Sequence, residues 1–340
     1  EVRLYVLSPL VVRREARLDT VEMRMPSLKG MLRFWWRALQ GHAALEDIRK
    51  KEQALFGAAG SGKSPVRMVL ARTVPPVSVE ESQVFLLPHK RKGKVAYFPT
   101  GGPPFLMWLT APEDKLEMYE HLLRTALLLG GLGARGRRGF GSLHIDPPPQ
   151  GLEEICAWLN KASGANSIFA VETTALEDHQ GRRRSVERIV LRKENPSLRF
   201  PYVQEVYRGD PLPQDQQAIL KWLHRIGTLS SRHNSLYTGY TAVLEQTATE
   251  PAVKELFKKL KNEKKARLAS PLVVTVARFA EGPGRTSLRP VVVRLKPVFP
   301  DEIQKILENQ KNLPEHQRPT LLQDTTNAFI LDVLKGGSTR

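Results

Sequence analysis

Cysteine is almost missing from this chain: Cys156 is the one thiol in 340 residues. No intrachain disulfide can form, and a lone cysteine suits a reducing interior, which points to the cytoplasm. Long apolar runs are missing as well. No stretch approaches the roughly 18–20 uninterrupted apolar residues of a membrane span, and the opening residues lack the apolar core of a secretory signal. None of the eight histidines stands in an HExxH pattern, and Cys156 has no CxxC partner. Neither a metal site nor another cofactor is therefore expected. Acidic residues are scarce beside basic ones, 35 against 52, which leaves +17 and a pI near 10. An excess of that size calls for a polyanionic partner, and nucleic acid is the commonest. The 41% apolar content is enough for packed cores, and the length suggests about two domains.

Periodicity and punctuation divide the chain into mixed elements. Val2 to Leu10 reads as a strand, and Pro26-Ser27 opens a helix to about Ala44 with Ser27 as N-cap. Glu46 to Phe56 reads as a second helix, ended by Gly57. Strands are expected at 66–74, 95–98, 105–109 and 142–145, with a helix over 113–129 that enters at Pro112. Strands enclosing two helices in this order predict an α+β fold built on a split βαβ, ferredoxin-like (RRM-like) sheet with insertions. Pro147-Pro148-Pro149 is the expected boundary between domains at 1–147 and 148–340. Beyond it, helices are expected over 152–161, 215–226, 251–268 and 301–313. Strands are expected at 168–173 and 186–191. The alternating runs around Leu272-Val274-Val276 and Val291-Val293-Leu295 form a hairpin with its tip at 281–284.

The helix that opens at Pro26 has two unlike faces. At 100° per residue, Leu28, Met31, Leu32, Trp35, Ala38 and Leu39 share one side. Lys29, Arg33, Arg37 and Gln40 share another, with Trp36 on the border. No acidic residue stands between Glu22 and Glu46, so the basic stripe has no carboxylate of its own helix to pair with. Like charges four apart repel by a few tenths of a kcal/mol, and a bound phosphate chain would relieve that repulsion. Trp36 can stack on a base or wedge against the sheet.

Gly130-Gly131-Leu132-Gly133-Ala134-Arg135-Gly136-Arg137-Arg138-Gly139-Phe140-Gly141 follows a helix and precedes a strand. Glycines permit positive torsions and close backbone approach. With three arginines and no acid, the segment predicts a flexible anion cradle for phosphate or sugar at Arg135, Arg137 and Arg138.

These segments together resemble a known family. Pro26-Ser27-Leu28-Lys29-Gly30-Met31-Leu32-Arg33-Phe34-Trp35-Trp36-Arg37-Ala38-Leu39 resembles the first helix of RAMP-superfamily CRISPR proteins, Glu52-Gln53-Ala54-Leu55-Phe56-Gly57 the segment after it, and Gly130 to Gly141 the glycine-rich loop. Within the superfamily the combination is most similar to the first subunit of the Cmr complex, the type III-B RNA-guided effector of antiviral defence. The resemblance implies two ferredoxin-like domains and a non-catalytic, RNA-binding subunit of that ribonucleoprotein. It also implies contact with guide or target RNA near the guide 3′ end, and with other RAMP subunits. Lys29, Arg33, Trp36 and Arg37 match the helix, and Arg135, Arg137 and Arg138 the loop. One departure is visible: Val11-Val12-Arg13-Arg14 follows Ser8-Pro9-Leu10, where the family has a small glycine-containing turn.

Two catalytic readings compete. A metal-independent endoribonuclease that processes guide RNA, an activity of some relatives in the superfamily, would need a base and an acid around one phosphodiester, and His42 is the one candidate base. A P-loop ATPase is suggested by Gly57-Ala58-Ala59-Gly60-Ser61-Gly62-Lys63-Ser64, which satisfies GxxxxGK[ST]. A working P-loop follows a strand and opens a helix. Here the expected order is reversed, so the motif reads as a polar turn.

Overall fold

The computed structural model describes residues 1–12, 21–60, 62–80, 94–178, 180–233, 270–299, 301, 304–305, 308 and 325–336. In chain order these form β1 (Val2–Val6), α1 (Met25–Ala38), α2 (Leu45–Phe56), β2 (Arg67–Arg72), β3 (Val77–Glu80), β4 (Lys94–Tyr97), β5 (Phe105–Thr110), α3 (Glu113–Leu129) and β6 (Leu143–His144). There follow α4 (Leu152–Ser163), β7 (Phe169–Glu177), β8 (Arg183–Leu191), β9 (Val203–Arg208), α5 (Gln216–Arg232), β10 (Leu272–Ala280), β11 (Thr286–Leu295) and α6 (Thr326–Leu334). The mixed α+β class read from sequence is the class observed.

The first sheet is antiparallel in the order β2-β5-β1-β6. Counted as first to fourth along the chain, with β3–β4 set aside as a separate two-stranded insertion, this is the 2-3-1-4 order of a split βαβ unit. The second sheet runs β10-β11-β9-β8-β7. Its β9, β10 and β11 repeat the 2-3-1 part of that order, and β8, which comes earlier in the chain, occupies the edge place of a fourth strand.

Between the sheets lies α3. Its last two turns, Leu122 to Leu129, are buried all round except Arg124, because the helix packs on α1 and α4 and also against β10. The Thr275 hydroxyl of β10 donates to the Leu128 carbonyl at 2.7 Å. One apolar cluster accordingly runs without a break from Leu4 and Leu32 through Leu127 to Val293 and Leu295.

The 130–141 segment departs from the flexible cradle expected of it. It is folded back on itself and pinned on both sides. Gly131 N–H donates to Gly136 O (3.0 Å), Leu132 N–H to Gly141 O (2.9 Å), Ala134 N–H to Val11 O (2.8 Å) and Gly141 N–H to Pro9 O (3.0 Å). On the other side Gly139 N–H donates to Val274 O (2.7 Å), and Val274 N–H to Arg137 O (3.1 Å). The glycines are there for closeness. A Cβ on Gly141, at φ +66°, would lie 1.9 Å from the Leu132 carbonyl oxygen. Val11, buried at the point where the family turn is replaced, supplies one of the carbonyls that hold the segment.

Local differences from the sequence reading have local causes. Helix α1 starts at Met25 with Arg24 as N-cap, and Ser27 makes no side-chain cap; its N–H bonds Arg24 O at 3.0 Å. It stops at Ala38 and not Ala44, since the chain turns at Gly41, where a Cβ would strike the Tyr202 ring at 2.4 Å. Strands β3 and β9 and helix α6 are not anticipated by the sequence reading: β3 is only four residues long, and β9, Val203-Gln204-Glu205-Val206-Tyr207-Arg208, does not alternate. In α6 eight of nine residues are buried, so it has no polar face. The helix expected over 251–268 lies outside the described residues, as does most of the one over 301–313.

The glycine geometry sets a paired expectation. Gly141→Ala should lower stability by roughly 2 kcal/mol or more, from left-handed strain plus the carbonyl clash. Gly30→Ala sits in exposed α1 with nothing within 4 Å and should raise it by about 0.5–1 kcal/mol. Denaturant midpoints of the two variants, moving in opposite directions, check both.

Candidate nucleic-acid interface

The inward face of α1 is formed by Leu28, Leu32, Trp35, Trp36 and Ala38. Trp36 does not border the surface as expected. It is 2% exposed and meets Phe56 edge to face at 6.2 Å, which in turn meets Tyr119 at 6.3 Å. A second helix crossing on that flank buries the ring, so stacking on a base is corrected to core packing. Gln40 likewise leaves the basic face: it is buried, donating to Trp36 O (3.3 Å) and Ser163 O (3.0 Å).

Lys29, Arg33 and Arg37 do share the outer flank, but one carboxylate joins them. Glu52 of α2 accepts from Arg33 Nε at 2.5 Å, from Arg37 Nη2 at 2.5 Å and from Arg37 Nε at 3.0 Å. The Glu52 side chain is nearly buried, whereas Arg33 and Arg37 keep 39% and 42% of theirs exposed. Two cations therefore fan out to solvent from one anchored anion, and the trio carries a net positive charge. Lys29 reaches the Val66 carbonyl at 3.4 Å, and burial, then the neighbouring Arg33, lowers its ammonium pKa. Burial works against the Glu52 charge, but the hydrogen bonds from Arg37 and Arg33 and their fields together outweigh it and hold the carboxyl below its ordinary value. Arg37 is held above its own by the Glu52 hydrogen bond.

Beside these arginines lies an open groove of about 370 Å³, lined also by Arg49, Leu45, Gln53 and Phe200. The Gly57 carbonyl, 3.4 Å from Arg33 Nη2, closes one end. The GxxxxGK[ST] segment that starts there follows α2 and leads into β2, the reverse of a nucleotide-binding P-loop; its Ser61 lies outside the described residues. Sequence reasoning missed Glu52 and Arg49. A signal existed: Ile48, Glu52 and Phe56 stand four apart, and all three are buried, so a carboxylate interrupts an apolar stripe and needs a buried cation.

The loop arginines are placed differently from α1's. Arg137 stacks over Phe34 at 5.5 Å and donates to Ser270 O at 2.7 Å. Arg138 lies 5.9 Å over Phe329 and donates to Leu272 O (3.0 Å) and Arg137 O (3.3 Å). Arg135, in the left-handed region at φ 56°, lies over Phe140 at 5.7 Å. Burial, then repulsion from Arg135 and Arg137, pushes Arg138 down to about 10, and burial lowers Arg137. Both still hold their protons at neutral pH. The acceptors Ser270 O, Leu272 O and Arg137 O are backbone carbonyls.

Elsewhere the three consecutive arginines Arg182-Arg183-Arg184 are paired: Arg182 meets Asp178, Arg183 meets Glu177 and Arg184 meets Asp210. His89 to Arg91 and Lys258 to Arg267 lie outside the described residues. Half-buried His42 has an Nδ1 atom with no hydrogen-bond partner, and burial, then Lys51, lowers its pKa. Among the described residues no group of three or more His, Cys, Asp or Glu could hold a metal ion, and no helix is long and apolar enough to cross a membrane.

Comparison with known proteins bears on the same region. Residues 3–144 match the model of the RAMP superfamily. A curated relative, CRISPR system Cmr subunit Cmr1-1 of Pyrococcus furiosus, is 29% identical over 138 residues, which cover 36% of this chain and 40% of that protein. The aligned part thus spans less than half the relative's length. Among solved structures, the apo crystal structure of Cmr1 from Pyrococcus furiosus is similar over 99% of this chain and 98% of that one, with a TM-score of 0.52 at 15% identity. A chain of type III-B Cmr-beta bound to cognate target RNA and AMPPnP gives 0.48 at 12% identity, over 98% of each chain.

Titration of Glu52 gives a signed expectation. Its folded pKa lies below the unfolded value, so its stabilisation is complete above the ordinary carboxylate range and fades as pH falls through the folded pKa. Glu52→Gln should cost about 1–2 kcal/mol at neutral pH, discounted for the exposure of both arginines. Urea unfolding from pH 7 downwards should show the two proteins converging in acid.

Proposed function

We propose, from the premise that residues 3–144 carry the RAMP-superfamily pattern on a Cmr1-like fold, that this chain is an RNA-binding subunit of a type III-B Cmr effector complex. The relatives it resembles are named as Cmr subunits, and assembly with other RAMP subunits follows from that likeness. The observation that carries RNA binding is the pair of half-exposed guanidiniums held by buried Glu52 over an open groove. A planar guanidinium presents paired donors to a phosphate. Anchoring two of them on one carboxylate fixes their direction before a ligand arrives, so less ordering is needed on binding. Arg49 lines the same groove and adds charge there, and Lys29 adds charge one turn before Arg33 on the same helix. Arg135, Arg137 and Arg138 contribute mainly through their field, since two of them are bonded at the junction of the two sheets.

In this reading the chain acts by binding: an endoribonuclease would place an acid opposite its base, and among the described residues the charged group acting on His42 is the cation Lys51. Contacts of this kind position a sugar-phosphate backbone and carry no sequence information. That suits an assembly in which guide RNA reads the target by base pairing, with contact near the guide 3′ end. In this reading the chain divides into a first unit at 1–147 and a second at 148–340, both of ferredoxin-like descent and joined through α3 and the 130–141 segment. The separate sheets on either side of Pro147 support that division.

Arg33→Ala and Arg37→Ala should each weaken single-stranded RNA binding across many sequences. Each should also flatten the plot of log affinity against log salt by about 0.7 for every phosphate left without its cation. Filter binding of the full chain, or of the assembled complex, at several salt concentrations measures this. Wild-type affinity and slope in both variants would remove the α1 flank as the contact surface.

A further inference from the structure

The outer face of the first sheet, turned away from α1 and α3, has a composition unlike any other surface here. Alternation along the strands sends Leu4, Val6, Phe105 and Met107 into the core. It leaves Arg3, Leu106, Trp108, Thr110, Arg67 and Val69 on the opposite side, and the bulge after Leu70 brings Arg72 to the same row as Leu106. Trp108 is 48% exposed and stands directly across from Val69, itself 40% exposed. On one side the next row is Arg72-Leu106-Arg3; on the other, Arg67 faces Thr110. Rows on one face lie about 7 Å apart, so cations flank the indole above and below. The one carboxylate on this strip is Glu1, 3.4 Å from Arg3. Arg67 and Arg72 make no ion pair among the described residues.

The arginines of the second sheet are placed differently, on the side that carries buried Glu205 and Tyr207. Arg188 meets Glu172 at 2.5 Å and also Glu205, which accepts from Arg294 (3.2 Å) and the Tyr207 hydroxyl (2.9 Å). The first sheet's outer face instead has an exposed indole at its centre.

We infer that the open face of β2-β5-β1 is a second nucleic-acid surface, on which Trp108 stacks a base of single-stranded RNA while Arg67, Arg72 and Arg3 hold the flanking phosphates. An aromatic platform flanked by cations is the arrangement that binds single strands with little regard for sequence. A protein interface would need a broader apolar centre depleted in charge, and here only Val69 and Leu106 extend the indole. The inference rests on the RNA-binding reading above and adds to it a surface remote in sequence from Arg33 and Arg37.

Tryptophan fluorescence tests it, because the other four tryptophans, Trp35, Trp36, Trp158 and Trp222, are buried. Titration of the full chain with an oligouridylate of about ten nucleotides should quench the exposed component and shield it from acrylamide. Trp108→Ala should lower affinity about five-fold or more, while Trp108→Phe restores most of it. Arg67→Ala should weaken binding and flatten the salt dependence. Wild-type affinity in Trp108→Ala and Arg67→Ala, with loss confined to Arg33→Ala and Arg37→Ala, overturns the sheet-face site and leaves the α1 reading standing. Loss at Trp108 with none at Arg33 or Arg37 does the reverse. Shielding of Trp108 that appears in an assembled complex free of RNA, and not with RNA alone, overturns it in favour of a protein partner.

Discussion

A two-bond backbone bridge, Gly139 N–H to Val274 O and Val274 N–H to Arg137 O, ties the 130–141 segment to the second sheet, beside the packing of α3 and the continuous apolar cluster. The course of that segment follows from it. To reach Val274, the segment after α3 must leave the first sheet, turn sharply and come back to β6, and it does so by resting on the Pro9 and Val11 carbonyls. That path brings backbone against backbone at Gly131, Gly136 and Gly141, where no side chain fits. It also brings Arg137 and Arg138 to the start of β10, whose Ser270 and Leu272 carbonyls would otherwise end in an apolar junction. Buried carbonyls need donors, and buried guanidiniums need acceptors. Each satisfies the other. The loop is a clasp that carries three arginines at the junction of the two sheets.

A net charge of +17 says little until it is located. In the second unit Arg182 is paired with Asp178, Arg183 with Glu177, Arg184 with Asp210, and Arg188 with Glu172 and Glu205. At α1 a single carboxylate serves two arginines. At the clasp the acceptors are neutral carbonyls. On the first sheet's outer face Arg67 and Arg72 have no counter-ion among the described residues. By sequence the excess is shared by both units, with 23 basic and 14 acidic residues in 1–147 and 29 and 21 in 148–340; the half-exposed arginines of α1 and the first sheet lie in the part that matches the RAMP superfamily.

Elements with one buried face were legible in the sequence. α2, α3 and the β10–β11 hairpin lie within a residue or two of where periodicity and turn residues put them, because in each the pattern is local. What depended on a partner distant in sequence was not legible. Trp36 reads as a border residue when α1 is turned alone, and becomes core once α2 lies across it. The stripe of Lys29, Arg33 and Arg37 reads as uncompensated when only its own helix is searched for acids; its counter-ion is nineteen residues away from Arg33. The glycine-arginine loop reads as flexible because glycine permits many conformations. The fold used the same residues for close backbone contact, and glycine content alone does not separate these outcomes. Trp108 carried no signal, since an aromatic in an alternating strand is normally the buried member.

The six residues Leu32-Arg33-Phe34-Trp35-Trp36-Arg37 show how the parts are coupled. Leu32, Trp35 and Trp36 fix the helix in the core, and Gly130 is flattened against the Trp35 indole. Phe34 lies under the Arg137 guanidinium, and Arg33 and Arg37 are held by Glu52. Phe34 and Arg37 are three residues apart, about 60° around the helix, so clasp and groove occupy neighbouring flanks of one turn. A phosphate bound by the two arginines would be registered against a rigid element, fixed on one side by the core, on the second by α2 and on the third by the clasp. Loosening any of the three changes where the guanidiniums point, even though none of those residues touches the ligand. Precision of that kind has little value for a loose electrostatic contact. It would matter in the RNA-binding role proposed above, where a sugar-phosphate chain is held in one register while pairing elsewhere reads the sequence.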